Sequence, residues 1–408
     1  MTSVCFYFQV HQPMRLRRLH VFNAPTNVDY WDDGKNKAIF NRVADKCYLP
    51  TNKLLLELIE KHDGRFKVAF SLSGTFVEQA QKYRPDVIES FAKLAATGCV
   101  EFLSETYYHS LAGLWDNPEE YIEQIREHRE LMLKLFNVEP RVFRNTELIY
   151  DNRIAKVVEG LGYEAIMTEG TEKILGWRSP NFLYKPSGGS RLKVMLKNYR
   201  LSDDVAFRFG NGSWNEYPLT ADKYATWLSQ AEGQVVNLFM DYETFGEHNW
   251  RESGIFEFLR HLPGEVLKHP HMDFATPSEI VSRHEPVGDI EVPHAISWAD
   301  SERDVSAWLH NEMQHQCFND LRDLAPSVKA LKDPEITHAW RLLQTSDHLY
   351  YCCTKWMSDG DIHTYFSPYD SPYQAFINYS NAIQDLKRKV ALRLEQQRQR
   401  GAALAASR

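Results

Sequence analysis

Short apolar runs alternate with amphipathic stretches through about the first two thirds of the chain. Residues 3–10 read as a buried strand. Residues 52–62 place Leu54, Leu55, Leu58 and Ile59 on one helical face. Further strands are expected over 66–72, 99–103, 142–145, 164–167 and 235–241, with a weak last one over 272–275, seven in all. Helices are expected over 75–83, 85–96, 118–136, 153–161, 221–232 and 255–269, with another starting at Pro277. Residues 177–212 are rich in Gly, Ser and Asn and read as irregular or extended chain.

Strand and helix in alternation predict a parallel α/β sheet with right-handed crossovers. No G-x-G-x-x-G follows the first strand, which argues against a dinucleotide-binding sheet. Polar clusters instead follow several different strands, as the catalytic face of a closed barrel requires. From about residue 292 the texture changes to helices over 302–324, 334–356 and 371–399, with a frayed tail over 401–408. The expected organisation is a catalytic barrel over 1–291 and a helical domain over 292–408.

Composition narrows the partners. The 408 residues carry a formal net charge of −8 without a long basic block, which disfavours nucleic acid and anionic membranes. No run reaches the ~18 apolar residues of a membrane span. The first ten residues lack the basic start of a signal peptide, so the expected location is cytoplasmic. The six cysteines, at 5, 47, 99, 317, 352 and 353, form no CxxC motif and read as reduced thiols. No G-x-S-x-G elbow and no phosphate-binding loop is present.

Five polar stretches carry candidate chemistry. His11 and Gln12 follow the first strand, where they can bond sugar hydroxyls or simply shape a loop before Pro13. Glu101, Glu105, Tyr107, Tyr108 and His109 follow the third; any one acid there also reads as a surface ion pair. Glu147 ends a strand next to Arg144, a cation suited to keeping a nucleophilic carboxylate ionised. The plainer reading is a helix cap. Asp241 ends the strongest strand and is followed by Glu243, Glu247 and His248. A general acid needs a carboxyl raised by burial or by a nearby like charge. The same cluster leaves metal binding open, although no H-E-x-x-H spacing occurs. Trp298 and Trp308 flank Asp300 and Asp304, and suit either ligand stacking or packing between domains.

Taken in order, these five stretches resemble the five motifs of glycoside hydrolase family 57, over about residues 4–311. The wordings Asn145-Thr146-Glu147-Leu148-Ile149-Tyr150 and Met240-Asp241-Tyr242-Glu243-Thr244-Phe245-Gly246-Glu247-His248 are most similar to its α-amylase branch. The resemblance implies a distorted seven-stranded (β/α)7 TIM-like barrel followed by a C-terminal helical bundle. It implies retaining chemistry on α-1,4-glucans such as starch, glycogen or maltooligosaccharides. Glu147 matches the nucleophile and Asp241 the general acid/base, with carboxyls roughly 5 Å apart. His11 and Glu101 match sugar-contacting positions. Asp304 and Trp308 are similar to the last motif, which closes the cleft from the helical domain. Gln12, His109, Arg144, Glu243, His248, Trp298 and Asp300 complete the expected substrate-binding set. Gln9 stands where many members carry His.

A 4-α-glucanotransferase or branching enzyme would use the same pair of carboxyls. A non-catalytic glucan-binding protein and a metal-dependent deacetylase or mannosidase are readings of other classes. No metal or cofactor is assigned. The expected partner is an α-glucan, and the expected state a monomer or small homo-oligomer.

Overall fold

The computed structural model describes residues 1–406 apart from 21, 23, 24 and 356–366. The chain separates into two compact units. The first comprises 1–12, 37–107 and 121–298; the second comprises 13–36, 108–120 and 299–408.

In the first unit β1 (Thr2–Val10) pairs in parallel with β2 (Val68–Leu72), and β2 with β3 (Val100–Phe102). A second parallel sheet runs β4 (Val142–Arg144), β5 (Ala165–Glu169) and β6 (Lys193–Lys197). β7 (Val235–Asp241) returns to the other side of β1, with Asp241 opposite Gln9. The two sheets are hydrogen-bonded at both margins. Ser104 N–H donates to the Val142 carbonyl (3.1 Å) and Arg144 N–H to the Ser104 carbonyl (2.8 Å). On the far side Asn198 N–H donates to the Asn237 carbonyl (2.9 Å). Seven parallel strands thus follow one another around a ring, β1 to β7 and back to β1. All their carboxyl ends lie on one side, because parallel strands share a direction.

Alternation along β1 divides the core in two. Val4, Phe6, Phe8 and Val10 point outward, into a layer with Phe70, Leu58 and Phe258. Leu58 belongs to α1 (Leu49–Lys61), and α2 (Gly74–Tyr83) and α3 (Pro85–Ala95) add Phe76 and Phe91 to the same layer. Cys5 and Tyr7 point inward, against Ala69, Leu103, Met167 and Phe239. The Phe8 ring lies 5.5 Å from Phe70 and 5.2 Å from Tyr242, contacts each worth about 0.5–1.5 kcal/mol beyond simple burial.

The count of seven ring strands matches expectation, but one member differs. The sixth is Lys193–Lys197, inside the stretch read as irregular. Its apolar run is only Val194, Met195 and Leu196, because both ends are lysines that the tertiary structure uses. Lys193 Nζ donates to the Val281 and His284 carbonyls, each at 2.8 Å. The expected last strand, β8 (Met272–Phe274), pairs with β1 only along Thr2 to Val4.

The second unit is mainly helical. The helix expected from residue 302 begins instead at Glu312, where Asn311 and Gln314 form a capping box. The helix expected over 334–356 is two helices, Pro334–Leu342 and Ser346–Tyr350, and Trp356 lies outside the described residues. Thr345 breaks it by pairing in extended conformation with Ser110. The last helix, Pro372–Ala406, continues as far as Ala406 into the tail that was expected to fray. Among the described residues no helix is long and apolar enough to cross a membrane.

Gly246 shows how tightly the β7 exit is built. Its φ is +109°, and a Cβ there would come within 2.0 Å of the Lys46 carbonyl oxygen. Gly246→Ala is therefore expected to lower stability by about 1–3 kcal/mol, through backbone strain and backbone collision together. Urea unfolding of the two proteins measures this, and an unchanged midpoint would count against the constraint.

Candidate active site

The chain leaves β4 through a tight turn that Asn145 builds. Its Oδ1 accepts from the Tyr121 hydroxyl (3.0 Å), and its Nδ2 donates to the Ile149 carbonyl (2.9 Å). Within that turn Glu147 and Leu148 both take left-handed backbone angles, φ +56° and +52°. Each costs on the order of 1–2 kcal/mol for a residue with a Cβ. The strain is held from two sides. Leu148 is sealed into the inner core, and its carbonyl accepts from Thr168 Oγ1 at 3.0 Å. Trp298 grips Glu147 twice, with its backbone N–H on the Glu147 carbonyl (3.3 Å) and its indole Nε1–H on the carboxylate Oε2 (2.9 Å). The Glu147 side chain is left half-buried among buried neighbours. Two cations flank the Trp298 ring: the Arg144 guanidinium 4.8 Å from its centre and Lys197 Nζ at 5.4 Å. Lys197 is itself paired with Asp203 (3.0 Å) and Glu169 (3.8 Å).

At the carboxyl end of β1, Gln9 holds a fully buried acid. Its Nε2 donates to Glu105 Oε1 (3.1 Å), while its Oε1 accepts from the Tyr7 hydroxyl and Ser71 Oγ, each at 2.8 Å. An amide can donate and accept at once at any pH, as this position demands. The Glu105 backbone N–H donates to His128 Nδ1 (3.3 Å), which leaves His128 Nε2–H to donate to the Leu72 carbonyl (2.8 Å). That fixes a neutral His128, and burial lowers its pKa in the same direction.

Asp241 is half-buried at the end of β7, beside Gln9 in register. Glu243, two residues on, is buried and accepts from the Tyr48 hydroxyl (2.5 Å). Tyr48 in turn accepts from Gln12 Nε2 at 3.1 Å. Burial, then the neighbouring charge of Asp241, push the Glu243 carboxyl up to about 8. His11 Nδ1 bonds Ser73 Oγ (2.7 Å), the residue that caps α2. Burial takes His248 down to about 4, so its ring is neutral near pH 7.

The strand ends of the first unit therefore carry His11, Gln12, Arg144, Glu147, Asp241, Glu243, His248 and Trp298 of the expected set. Glu101 does not join them. Its side chain enters the ring one alternation nearer the amino ends, where its carboxylate accepts from Ser278 N–H (2.8 Å) and Oγ (2.5 Å). There it helps cap the helix Pro277–Arg283, away from the strand ends. Glu105, four residues on, occupies the strand-end position instead. His109, Asp300, Asp304 and Trp308 belong to the second unit. Trp308 is 1 % exposed and packs on Tyr350, so stacking on a ligand is closed to it. Asp300 is ion-paired with Lys355 at 2.8 Å, and Asp304 accepts from Ser306 N–H at 2.8 Å. Glu105 lay in the second candidate stretch but was not assigned a role, and Glu169, Lys197 and Asp203 were not anticipated. Glu169 and Lys197 carry the signal that marked Glu147 and Asp241, a polar residue ending a strand. Among the described residues no group of three or more His, Cys, Asp and Glu side chains could hold a metal ion.

A family model described as glycosyl hydrolase family 57 matches residues 5–293. A Methanocaldococcus jannaschii protein named "Putative alpha-amylase" is 50% identical over 395 residues, covering 94% of this chain and 84% of its own length. An alpha-amylase of Pyrococcus horikoshii is 24% identical over 316 residues, 76% of this chain but 46% of its own. The chain thus spans less than half of that longer relative. Among solved structures, a GH57 branching enzyme from Thermococcus kodakaraensis aligns with a TM-score of 0.70 at 13% identity, covering 95% of this chain and 90% of that one. The 4-alpha-glucanotransferase from Thermococcus litoralis aligns with a TM-score of 0.63 at 17% identity, covering 93% and 59%. At such identities the two structures speak to the fold alone. The family model and the half-identical relative settle the classification: this chain belongs to glycosyl hydrolase family 57.

Proposed function

We propose that this enzyme is a retaining glycosidase acting on α-1,4-linked glucans, with Glu147 as nucleophile and Asp241 as general acid/base. The observation that carries the reading is the state of Glu147: a half-buried carboxylate, on a strained turn, with one oxygen fixed by the Trp298 indole N–H. A nucleophile needs a carboxylate whose orientation is held, so that its approach is set before substrate arrives. Asp241 protonates the glycosidic oxygen as Glu147 attacks the anomeric carbon, and the C–O bond to the leaving sugar breaks. A glycosyl ester on Glu147 results. Water then gives Asp241 its proton and attacks the same carbon, restoring both carboxyls. Glu243, neutral near pH 7, can donate a hydrogen bond beside Asp241 without adding charge. Starch, glycogen or maltooligosaccharides are the substrates of this reading, which the names of the amylase relatives support. Six free, buried cysteines support a reducing, cytoplasmic setting.

Glu147→Gln is expected to reduce hydrolysis of amylose and maltooligosaccharides to background, with the fold retained by circular dichroism. Activity near wild type would remove the nucleophile and the mechanism with it. Products longer than the input sugar would reassign the enzyme to glucan transfer with the same two carboxyls. Asp241→Asn is expected to lower kcat/KM by roughly 10²–10⁴-fold.

Glu243 also sets a pH dependence of stability. Its folded pKa lies above that of the unfolded chain, so between about pH 4.5 and 8 the folded state holds a proton that the unfolded state has lost. Its stabilising contribution is full below that window and falls as pH rises through it. Glu243→Gln should remove this slope, gaining roughly 1–4 kcal/mol on wild type between the two ends. Thermal melts at pH 5 and 8 measure it, and parallel curves would refute the raised carboxyl.

A further inference from the structure

Arg144 is fully buried at the end of β4, yet among the described residues none of its three guanidinium nitrogens has a hydrogen-bond partner. A buried charge without hydrogen bonds is costly, and an apolar side chain of similar length would fold more cheaply. Packing therefore does not account for an arginine here. What Arg144 does touch is the face of Trp298, 4.8 Å away, and that indole donates to Glu147 Oε2. The surroundings are rich in acids. The Tyr7 phenol, inside the ring, feels the charges of Arg144, Glu105 and Asp241 together. Lys197, the other cation at the indole, is already engaged by Asp203 and Glu169. A free anion bound to Arg144 would face this same surplus of carboxylates.

We propose that Arg144 is a positioning residue that acts on Glu147 through the Trp298 indole. Resting on the reading of Glu147 as nucleophile, the assignment gives Arg144 two effects. It presses on the indole face, which fixes the direction of the Nε1–H toward Oε2. It also supplies a positive charge that no accessible pH removes, in a chamber where every neighbouring acid opposes ionisation of Glu147. The absence of hydrogen bonds suits both effects, since the guanidinium is held by stacking and leaves its field directed at the chamber.

The test uses the full chain and four variants: Arg144→Met, Arg144→Lys, Trp298→Phe, and Arg144→Met combined with Trp298→Phe. Arg144→Met is expected to keep or raise the melting temperature while lowering kcat on maltooligosaccharides by about a hundredfold, the scale of a misplaced reacting group. The acidic limb of its kcat/KM profile should move to higher pH. Arg144→Lys, which keeps the charge and loses the planar stack, should recover the limb but only part of kcat. Trp298→Phe should reproduce the kcat loss, and at a pH above the acidic limb the double variant should have no lower kcat than Trp298→Phe alone, because the orienting effect of the two residues acts in series. Losses that multiply in the double variant, or an unmoved acidic limb in Arg144→Met, would overturn the proposal. If Arg144→Met does not fold, an unmoved profile and full kcat in Arg144→Lys would overturn it, and reduced kcat with an unmoved limb would support it. Trapping the glycosyl-enzyme with a fluorinated glucosyl fluoride, then sequencing the labelled peptide, checks the underlying reading separately. A label away from Glu147 removes the nucleophile, whereas a label on Glu147 with multiplying losses removes only the role of Arg144.

Discussion

A closed ring of parallel strands has an interior too narrow for bulk water, so a polar side chain that enters it is costly unless it finds a partner there, and Arg144, held against the Trp298 face, stands apart. Much of the first unit follows from this constraint. β1 alternates between an aromatic outer layer and a compact inner one, and at its carboxyl end the inner face turns polar with Gln9. From there the bonds lead outward in order: Tyr7 and Ser71 to Gln9, Gln9 to Glu105, and Glu105 to His128. Each donor meets an acceptor without a net proton to place. Such fully satisfied networks are rigid, which is what a site needs if its geometry is to be set before substrate arrives.

Against that rigid floor the two proposed catalytic carboxyls stand out as half-buried. They end strands β4 and β7, on either side of β5 and β6 around the ring. Glu147 sits on backbone that only surrounding structure can hold, with Leu148 anchored in the inner core and Trp298 bonded to both its carbonyl and its carboxylate. Strain of this kind is stored where position matters more than stability. Asp241 has a different neighbour, a buried glutamic acid that its own charge helps to keep protonated. The two carboxyls thus meet environments of opposite sign: cations around the indole at Glu147, and a neutralised acid beside Asp241. Separation of that sort lets one serve as nucleophile and the other carry a proton.

How much of this was legible in the sequence depended on where each residue's partners lie along the chain. Strands with long apolar runs, such as 3–10 and 235–241, announced themselves and brought Asp241 with them. β6 did not, because Lys193 and Lys197 bracket three apolar residues and their partners are distant acids and carbonyls. Glu101 and Glu105 looked equivalent in a stretch of mixed polar residues. Nothing local told which would meet a helix start at Ser278 and which would meet Gln9. Trp298 was read with the helical region that follows it, yet the chain just before it, at Ile296, pairs back to Tyr150 beside the β4 turn. Trp308, similar in its surroundings along the chain, is sealed inside the second unit.

The sequence by itself determined the alternation of strand and helix, the polar residues at strand ends and the family to which these motifs belong. Period and order along the chain carry those features, and each is set by neighbours a few residues away. The tertiary structure decided which acids face the site and which cap a helix. It also decided that Arg144 lies against an indole 154 residues further along, and that Glu147 takes a left-handed turn. Those outcomes depend on ring closure, which brings strand ends together irrespective of their separation in sequence, and on burial, which charges a free-energy cost that only distant partners can offset.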